Sequence, residues 1–525
     1  MTATEETADV VIVGGGPVGL MLATELRLGG VDPVVLEQLP AVSEIPKGNG
    51  LVGMIVPMLD YRGLQDRFSE ETTYIGPAPQ FQFGPLRLDF SRLSASPLHI
   101  LAIPQRRLET LLGERLAELG GSVRRGHELL ALSASGEGGN ATLEVNGPDG
   151  VYQIRARFVV GCDGAHSPVR KQAGIGFPGV TSSEIGRFGR VILPTATVAA
   201  GGGSAKVPGV GSLQLMQLTQ TPTGAYSLGP AAAMDRSAPP GMFIVYTREE
   251  ADSVPAEVDA DTPMTLDELR DSARRVFGAD VPMTDPLWLS RTVGNSRQAD
   301  RYRAGPVLLA GDAAHIFGSG GSLNSGLLDA LNLGWKLAAQ VRGWAPDGLL
   351  DSYQSERYSA GQRTILQTRA GRALAARGEY NDALRELVGQ LLAYPDAVRH
   401  VGAMIEGSDV RYEMPAGGAP PHPLAGWLAP DLELETSEGQ TRVAELTRAA
   451  RGVLLDFTAD AAVAAAAANW ADRVSVLTAR CLTSPAPAAA MLIRPDGYVA
   501  WATGSDTKNL VRGLDEALRT WFGQP

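Results

Sequence analysis

Residues 10–37 read VVIVGGGPVGLMLATELRLGGVDPVVLE. The apolar run Val10–Val13 is short and bounded by glycine, so it reads as a buried strand. A glycine turn then enters a helix, and DPVVLE forms a second strand ending at Glu37. This is a βαβ unit. Within the turn, Gly14, Gly16 and Gly19 have the spacing GxGxxG, with Pro17 and Val18 between the last two. The first glycine permits the tight turn, the second lets a pyrophosphate approach the backbone, and the third lets helix and strand pack closely. Phosphates sit at the helix N-terminus, where free N–H groups and the dipole favour anions. Glu37 lies 18 residues beyond Gly19, at a strand end where a carboxylate can accept ribose hydroxyls. The unit reads as a dinucleotide site.

Outward from this unit, RRLETLLGERLAEL at 106–119 has apolar residues at helical spacing, and ATLEVN and VYQIRARFVVGCDG alternate as strands. From about Ser182 the pattern becomes antiparallel, with VILPTATV, SLQLMQL and MFIVYT interrupted by AAGGGSAKVPGVG, which reads as a flexible stretch. The chain re-enters the first domain through PVLLAGD, and helices follow from about Leu327 to Ile405. The expected fold is α/β. A Rossmann-like first domain (1–181 and 291–405, the latter with the helical segment) carries an inserted antiparallel sheet (182–290). A Pro/Gly/Ala linker (406–421) then leads to a small α/β domain (422–525) with strands GVLLDF, AAMLIR and YVAWAT. The Ala-rich ADAAVAAAAANWA reads as a helix.

The chain has 525 residues and a net charge of −12, with no basic stripe to suit nucleic acid or an anionic membrane. Its polar start and the lack of a long apolar run point to a cytoplasmic protein without signal peptide or membrane span. Cys162 and Cys481 are isolated, and the six histidines are scattered, so neither a disulfide framework nor a metal site is expected. No GxSxG occurs, which removes a nucleophile-elbow hydrolase.

Two further stretches repeat the logic of strand, glycine and aspartate. VVGCDGAHSPVR at 159–170 holds Asp163–Gly164 with Ser167 and Arg170, and LLAGDAAH at 308–315 holds Gly311–Asp312. With these, the chain resembles the single-component FAD-dependent aromatic hydroxylases (group A flavoprotein monooxygenases). AIPQRRLETLL, SRQADRYRAG, DALNLGWKLAA, WADRV and LIRPDGYVAW extend the resemblance to the branch that tailors aromatic polyketide antibiotics.

The resemblance implies a non-covalent FAD, NADPH as a transient reductant without a dinucleotide fold of its own, and a thioredoxin-like C-terminal domain. That domain lacks CxxC and so reads as a packing or assembly module. It also implies oxygen addition to reduced flavin as a C4a-hydroperoxide, and insertion of one oxygen atom into a polycyclic aromatic substrate between sheet and flavin. Asp312 would bind the ribityl chain. Gly320, Gly321, Ser322, Leu323 and Asn324, at a helix start, would face the N1–C2=O edge, where a helix N-terminus stabilises negative charge. Lys47 stands where the family commonly has arginine near the ribityl and pyrophosphate, Gln105 matches a flavin-contacting glutamine, and Leu130 falls where backbone meets adenine. Arg170 is a candidate for the pyridine nucleotide or a helix-surface residue. Arg190 is a candidate to polarise a phenol, with an exposed strand position the better reading. His315 reads as a packed or hydrogen-bonded histidine, so no catalytic base is assigned.

One stretch departs from the family, whose loop reads His-x-x-Pro-Pro-x-Gly-Gly-Gln-Gly-x-Asn. Here His315–Asn324 is HIFGSGGSLN, two residues shorter and lacking both prolines and the glutamine. Phe317 and Ser319 are candidates to fill the space near the oxygen-reacting carbon. The departure leaves two alternatives open, a Baeyer–Villiger or rearranging oxygenase, and a flavoprotein that guides a reactive intermediate with little oxygen chemistry. The state of assembly is open between monomer and homodimer.

Overall fold

The apolar run at the start becomes β1 (Glu5–Val13), which passes through the glycine turn into α1 (Pro17–Leu28) and β2 (Val34–Glu37). Further along come α2 (Gln105–Glu118), β3 (Val123–Arg125) and the strands β4 (Glu128–Ala134), β5 (Ala141–Gly147) and β6 (Gly150–Gly161). The five-residue α3 (Pro168–Gln172) follows. This computed structural model describes residues 5–44, 48, 50–134, 139–200, 202–250, 262–318, 321–414, 421–482, 485–504, 511 and 513–525.

The inserted sheet comprises β7 (Glu184–Ile192), β8 (Thr219–Thr221), β9 (Gly224–Pro230), β10 (Met242–Glu250) and, after helix α4 (Leu266–Phe277), β11 (Thr284–Val293). Its strand order is β8-β9-β10-β7-β11, antiparallel throughout. Leu269, Ala273 and Val276 of α4 pack on Val191, Leu228 and Val245, closing one face. The opposite face carries a row of rings, with Phe188 stacked 4.3 Å from Tyr246 and 6.4 Å from Trp288. The stretch expected to be flexible instead forms a small antiparallel sheet of Thr197–Val198, Ser204–Val207 and Gly211–Gln214. Ala205 and Val207 are fully buried there, because alternate residues of even a Gly-rich segment can fill a core.

The chain returns through β12 (Arg303–Ala304) and β13 (Val307–Leu309) to complete a sheet ordered β12-β13-β6-β1-β2-β3, with β5 and β4 continuing from β6. The pairs β13/β6, β6/β1, β1/β2 and β2/β3 are all parallel. Helices α5 (Ser322–Arg342), α6 (Ser352–Ala375), α7 (Glu379–Leu391) and α8 (Pro395–Glu406) follow. The first begins five residues earlier than its apolar periodicity predicts, because its first turn is polar and faces the site. Glycines set how closely α5 lies on α1. A Cβ on Gly334 would fall 2.3 Å from the Glu25 Cβ, and one on Gly326 would fall 2.7 Å from a Val18 methyl.

The last part has β14 (Gly452–Asp456), α9 (Ala461–Ala467), β15 (Val474–Thr478), the hairpin β16 (Ala490–Ile493) and β17 (Val499–Thr503), and α10 (Leu514–Phe522). The order β15-β14-β16-β17, with β14/β15 parallel and the rest antiparallel, is a thioredoxin-like βαβ–ββα arrangement. Its core is continuous with Trp335 and Ala339 of α5. A buried ion pair, Arg494 with Glu356, crosses the junction and is flanked by a further pair on each side. Arg494 binds Glu356 at 2.6 Å and Asp496, while Lys336 binds Glu356 at 2.7 Å. The Arg62 guanidinium takes Glu25 on one side, and the carbonyls of Thr447 and Pro495 on the other. Among the described residues, no helix is long and apolar enough to cross a membrane.

Candidate functional site

Because β13, β6, β1 and β2 are parallel neighbours, their carboxyl ends share one edge of the sheet. That edge is where open α/β sheets bind ligands. In spatial order it presents Asp312, Asp163, Gly14 and Glu37. Three inter-strand spacings separate the outer two, on the order of 15 Å, a span suited to an extended dinucleotide. The ends touch one another. A Cβ on Gly14 (φ +109°) would lie 2.3 Å from the Cys162 carbonyl oxygen, and one on Gly311 (φ +63°) would lie 3.0 Å from Val18. Gly19 allows the helix to close on the turn, since a Cβ there would meet the Gly14 oxygen at 1.9 Å.

The residues fit FAD. Gly16 caps α1 with no side-chain hydrogen bond, Pro17 holds the first helical position, and a Cβ on Gly16 would meet nothing within 4 Å. Among the described residues, nothing fills the space in front of these uncapped amides, as a pyrophosphate requires. Glu37 is fixed by the Gly15 amide at 2.8 Å and the Leu39 amide at 2.9 Å, which orients its remaining lone pairs. Asp163 accepts the Val169 amide through Oδ2, while its buried Oδ1 has no partner among the described residues. Burial pushes the Asp163 carboxyl above its ordinary range. A ligand hydroxyl is what that oxygen lacks. Gly164 (φ +83°) turns the chain into α3.

On the other side, Gly311 and half-buried Asp312 begin a 3₁₀ turn, Gly311–Ala313. Gly321 (φ +91°) caps α5 without a side-chain bond, and among the described residues nothing lies within 4 Å of a Cβ placed there. The polar side chains after it are engaged within the protein. The Phe317 amide donates to Ser322 Oγ, and the Val52 amide donates to Asn324 Oδ1 at 3.0 Å. Leu323 packs against the main core. These bonds fix the two side chains by their acceptor oxygens and leave the backbone N–H groups of the first turn to face a ligand. Gln105 donates to Glu109 and its amide to the Gly48 carbonyl, so it borders the segment containing Lys47. Lys47, Ser319 and Gly320 lie outside the described residues. Leu130 is 43% exposed on β4, and its carbonyl accepts a long bond from Gln172.

The structure corrects two arginine readings. Arg170 is neither on the helix surface nor available to a pyridine nucleotide. It is buried, donates to the Ala313 and Ala165 carbonyls and lies 3.8 Å from the Phe177 ring centroid, tying the two aspartate motifs together. Arg190 is not exposed but buried, paired with Asp235 at 3.1 Å.

His315 is packed and hydrogen-bonded as expected, with Nε2 2.6 Å from Asp329 and its ring stacked on Phe317. Asp329 also accepts the Gly311 amide and Arg357 Nε, and Arg357 donates to the Tyr412 hydroxyl. Burial alone would raise the Asp329 carboxyl, yet His315 and Arg357 beside it hold it below the ordinary range. This network backs the Gly311–Asp312 turn. The sequence offered one sign of it, an aspartate on the apolar face of α5. Arg372 was not foreseen at all. It donates to the Gly294 carbonyl and Ser182 Oγ and pairs with Glu184, where the chain enters and leaves the inserted sheet. Gly318 passes so close that a Cβ would lie 3.0 Å from the Gly294 carbonyl and 3.2 Å from Arg372.

Comparison with known proteins identifies the family. Residues 7–368 match the family model described as FAD binding domain, and 422–525 match that described as aromatic-ring hydroxylase, C-terminal. The 12-dehydrotetracycline 5-monooxygenase/anhydrotetracycline 6-monooxygenase of Streptomyces rimosus is 38% identical, over 98% of this chain and 99% of its own. Dialkyldecalin synthase of Streptomyces rugosporus is 37% identical over 98% of each. Among solved structures, the anhydrotetracycline hydroxylase OxyS from Streptomyces rimosus superposes with a TM-score of 0.84 at 37% identity, covering 99% of this chain and 100% of that one. With a dinucleotide edge, two open helix N-termini and both family domains in place, the chain belongs to the aromatic-ring hydroxylase family of FAD-dependent monooxygenases.

Proposed function

We propose that this enzyme inserts one oxygen atom into a polycyclic aromatic polyketide during antibiotic tailoring in the cytoplasm, with NAD(P)H as the electron donor. The observation that carries the reading is the ring-lined face of the inserted sheet, Phe188, Tyr246 and Trp288, together with relatives named for tetracycline chemistry. Bound and reduced, FAD supplies the electrons with which oxygen is activated. The chain's own part is placement. The α1 N-terminus and Glu37 hold the nucleotide half, and Asp163 and Asp312 accept hydroxyls. The α5 N-terminus aims N–H groups at developing negative charge. Arg372 ties together the two segments that connect the inserted sheet to the FAD-binding domain.

A second reading has a specific basis. The His315–Asn324 loop lacks the family prolines, and one full-length relative is named dialkyldecalin synthase. On that reading the flavoprotein guides an intermediate without net oxygenation. Anaerobic reduction with NADPH, mixing with oxygen, and mass analysis of polycyclic candidates tests the pair. A product heavier by one oxygen supports the monooxygenase. An isomer of unchanged mass, formed equally well without NADPH, supports the other.

A further inference from the structure

Helix α7 has no buried residue along its length. Val388 and Leu392 rest on the satellite core around Phe90 and Leu374, and its outer side is apolar. Tyr380, Leu384, Leu387, Leu391 and Tyr394 are exposed by 90, 43, 55, 51 and 67%. Their spacing is four, three, four, three, which is the a/d seam of a coiled coil continued to Tyr394 at the turn into α8. Soluble monomers seldom leave such a stripe uncovered.

We propose that a second copy of this chain covers it, with α7 pairing antiparallel to α7 of its partner about a two-fold axis near Leu387. Three observations select this occupant. The stripe reads Tyr–Leu–Leu–Leu–Tyr in either direction, so antiparallel copies set Tyr380 against the opposing Tyr394, Leu384 against Leu391 and Leu387 against itself. That self-complementarity is what a two-fold interface demands. The flanking positions Asn381, Ala383, Val388 and Gln390 carry no charge, so no like-charge contact opposes the pairing. Of the nearby charges, Arg385 pairs with Asp382 at 2.9 Å, and Glu386 accepts from the neutral Gln390 at 3.3 Å. Finally, these residues expose on the order of 600 Å² per copy, so the stripe alone buries at most roughly 1,200 Å² in a pair, at the lower edge of specific interfaces.

The full FAD-loaded chain should sediment as a dimer in the micromolar range. Leu387→Asp should weaken self-association by roughly 30-fold or more, as loss of a central anchor does, with flavin content unchanged. Leu387→Cys gives an independent readout that keeps the side chain small and uncharged. Under mild oxidation it should yield a disulfide-linked dimer on a non-reducing gel, whereas Glu386→Cys, off the seam, should not. A wild-type monomer throughout that range overturns the proposal. So does a Leu387→Asp dimer of undiminished strength, or equal cross-linking at the two positions.

Discussion

Asp163 has one carboxylate oxygen bonded to the Val169 amide, and its other, buried oxygen has no hydrogen-bond partner in good geometry among the described residues. Burial raises its pKa, so in the cofactor-free protein its favourable protonated form is complete below the ordinary value of about 3.9 and is lost as pH rises through the raised one. Asp163→Asn should therefore stabilise the apoprotein relative to wild type at neutral pH, and the gap should close as pH falls toward the ordinary aspartate range. The same substitution should weaken FAD binding by roughly tenfold to a hundredfold, because a charge-assisted acceptor is lost. Thermal melts of the apoprotein and fluorescence titration with FAD check the two signs together; a merely structural aspartate would not give opposite ones. Asp312→Ala should reduce FAD affinity by about 1.5–3 kcal/mol, measured in the same titration, and unchanged affinity removes it from the site.

At the scale of elements, the motif-bearing strand ends were legible because each joins an apolar run to glycine and aspartate, a purely local pattern. That these ends share one edge follows from parallel pairing. Arg372 and the ring row of Phe188, Tyr246 and Trp288 were not legible, because their partners lie on other strands and helices with no fixed spacing in sequence. The same holds for Arg170, whose partners Ala165 and Ala313 lie on separate motifs. Gly318 marks where the shortened loop meets the sheet's connecting segment. Gly318→Ala should cost about 1–3 kcal/mol by crowding the Gly294 backbone, read by urea denaturation. Grafting the family's longer Pro-Pro loop between His315 and Asn324 should leave FAD bound, since Asp312 and the α5 start are kept. It should raise free hydrogen peroxide or change the product, because small displacements of reacting atoms are costly. Equal coupling and the same product would show the short loop to be neutral.

Across the whole molecule, the C-terminal part is joined by buried charge rather than by a linker alone. Burial alone would raise the Glu356 carboxyl, but Arg494 and Lys336 hold it far below the ordinary carboxylate range. Its contribution is therefore complete above about pH 4.3 and fades as pH falls through the lowered value. Arg494→Met should cost about 3–5 kcal/mol at neutral pH by leaving Glu356 and Asp496 short of a cation. In urea, loss of flavin and unfolding should still coincide in the wild type, and separate transitions would show that the junction does not couple the parts. Arg62 carries this further in time. Glu25, on the helix that follows the dinucleotide turn, is clamped by a guanidinium whose other partners include the carbonyls of Thr447 and Pro495. A ribosome makes the glycine turn and α1 long before Pro495, so part of the support for α1 arrives only after Pro495 has emerged. Nascent chains arrested before Pro495 should hold flavin more weakly than chains arrested beyond it, which makes cofactor capture report on synthesis of the C-terminal domain.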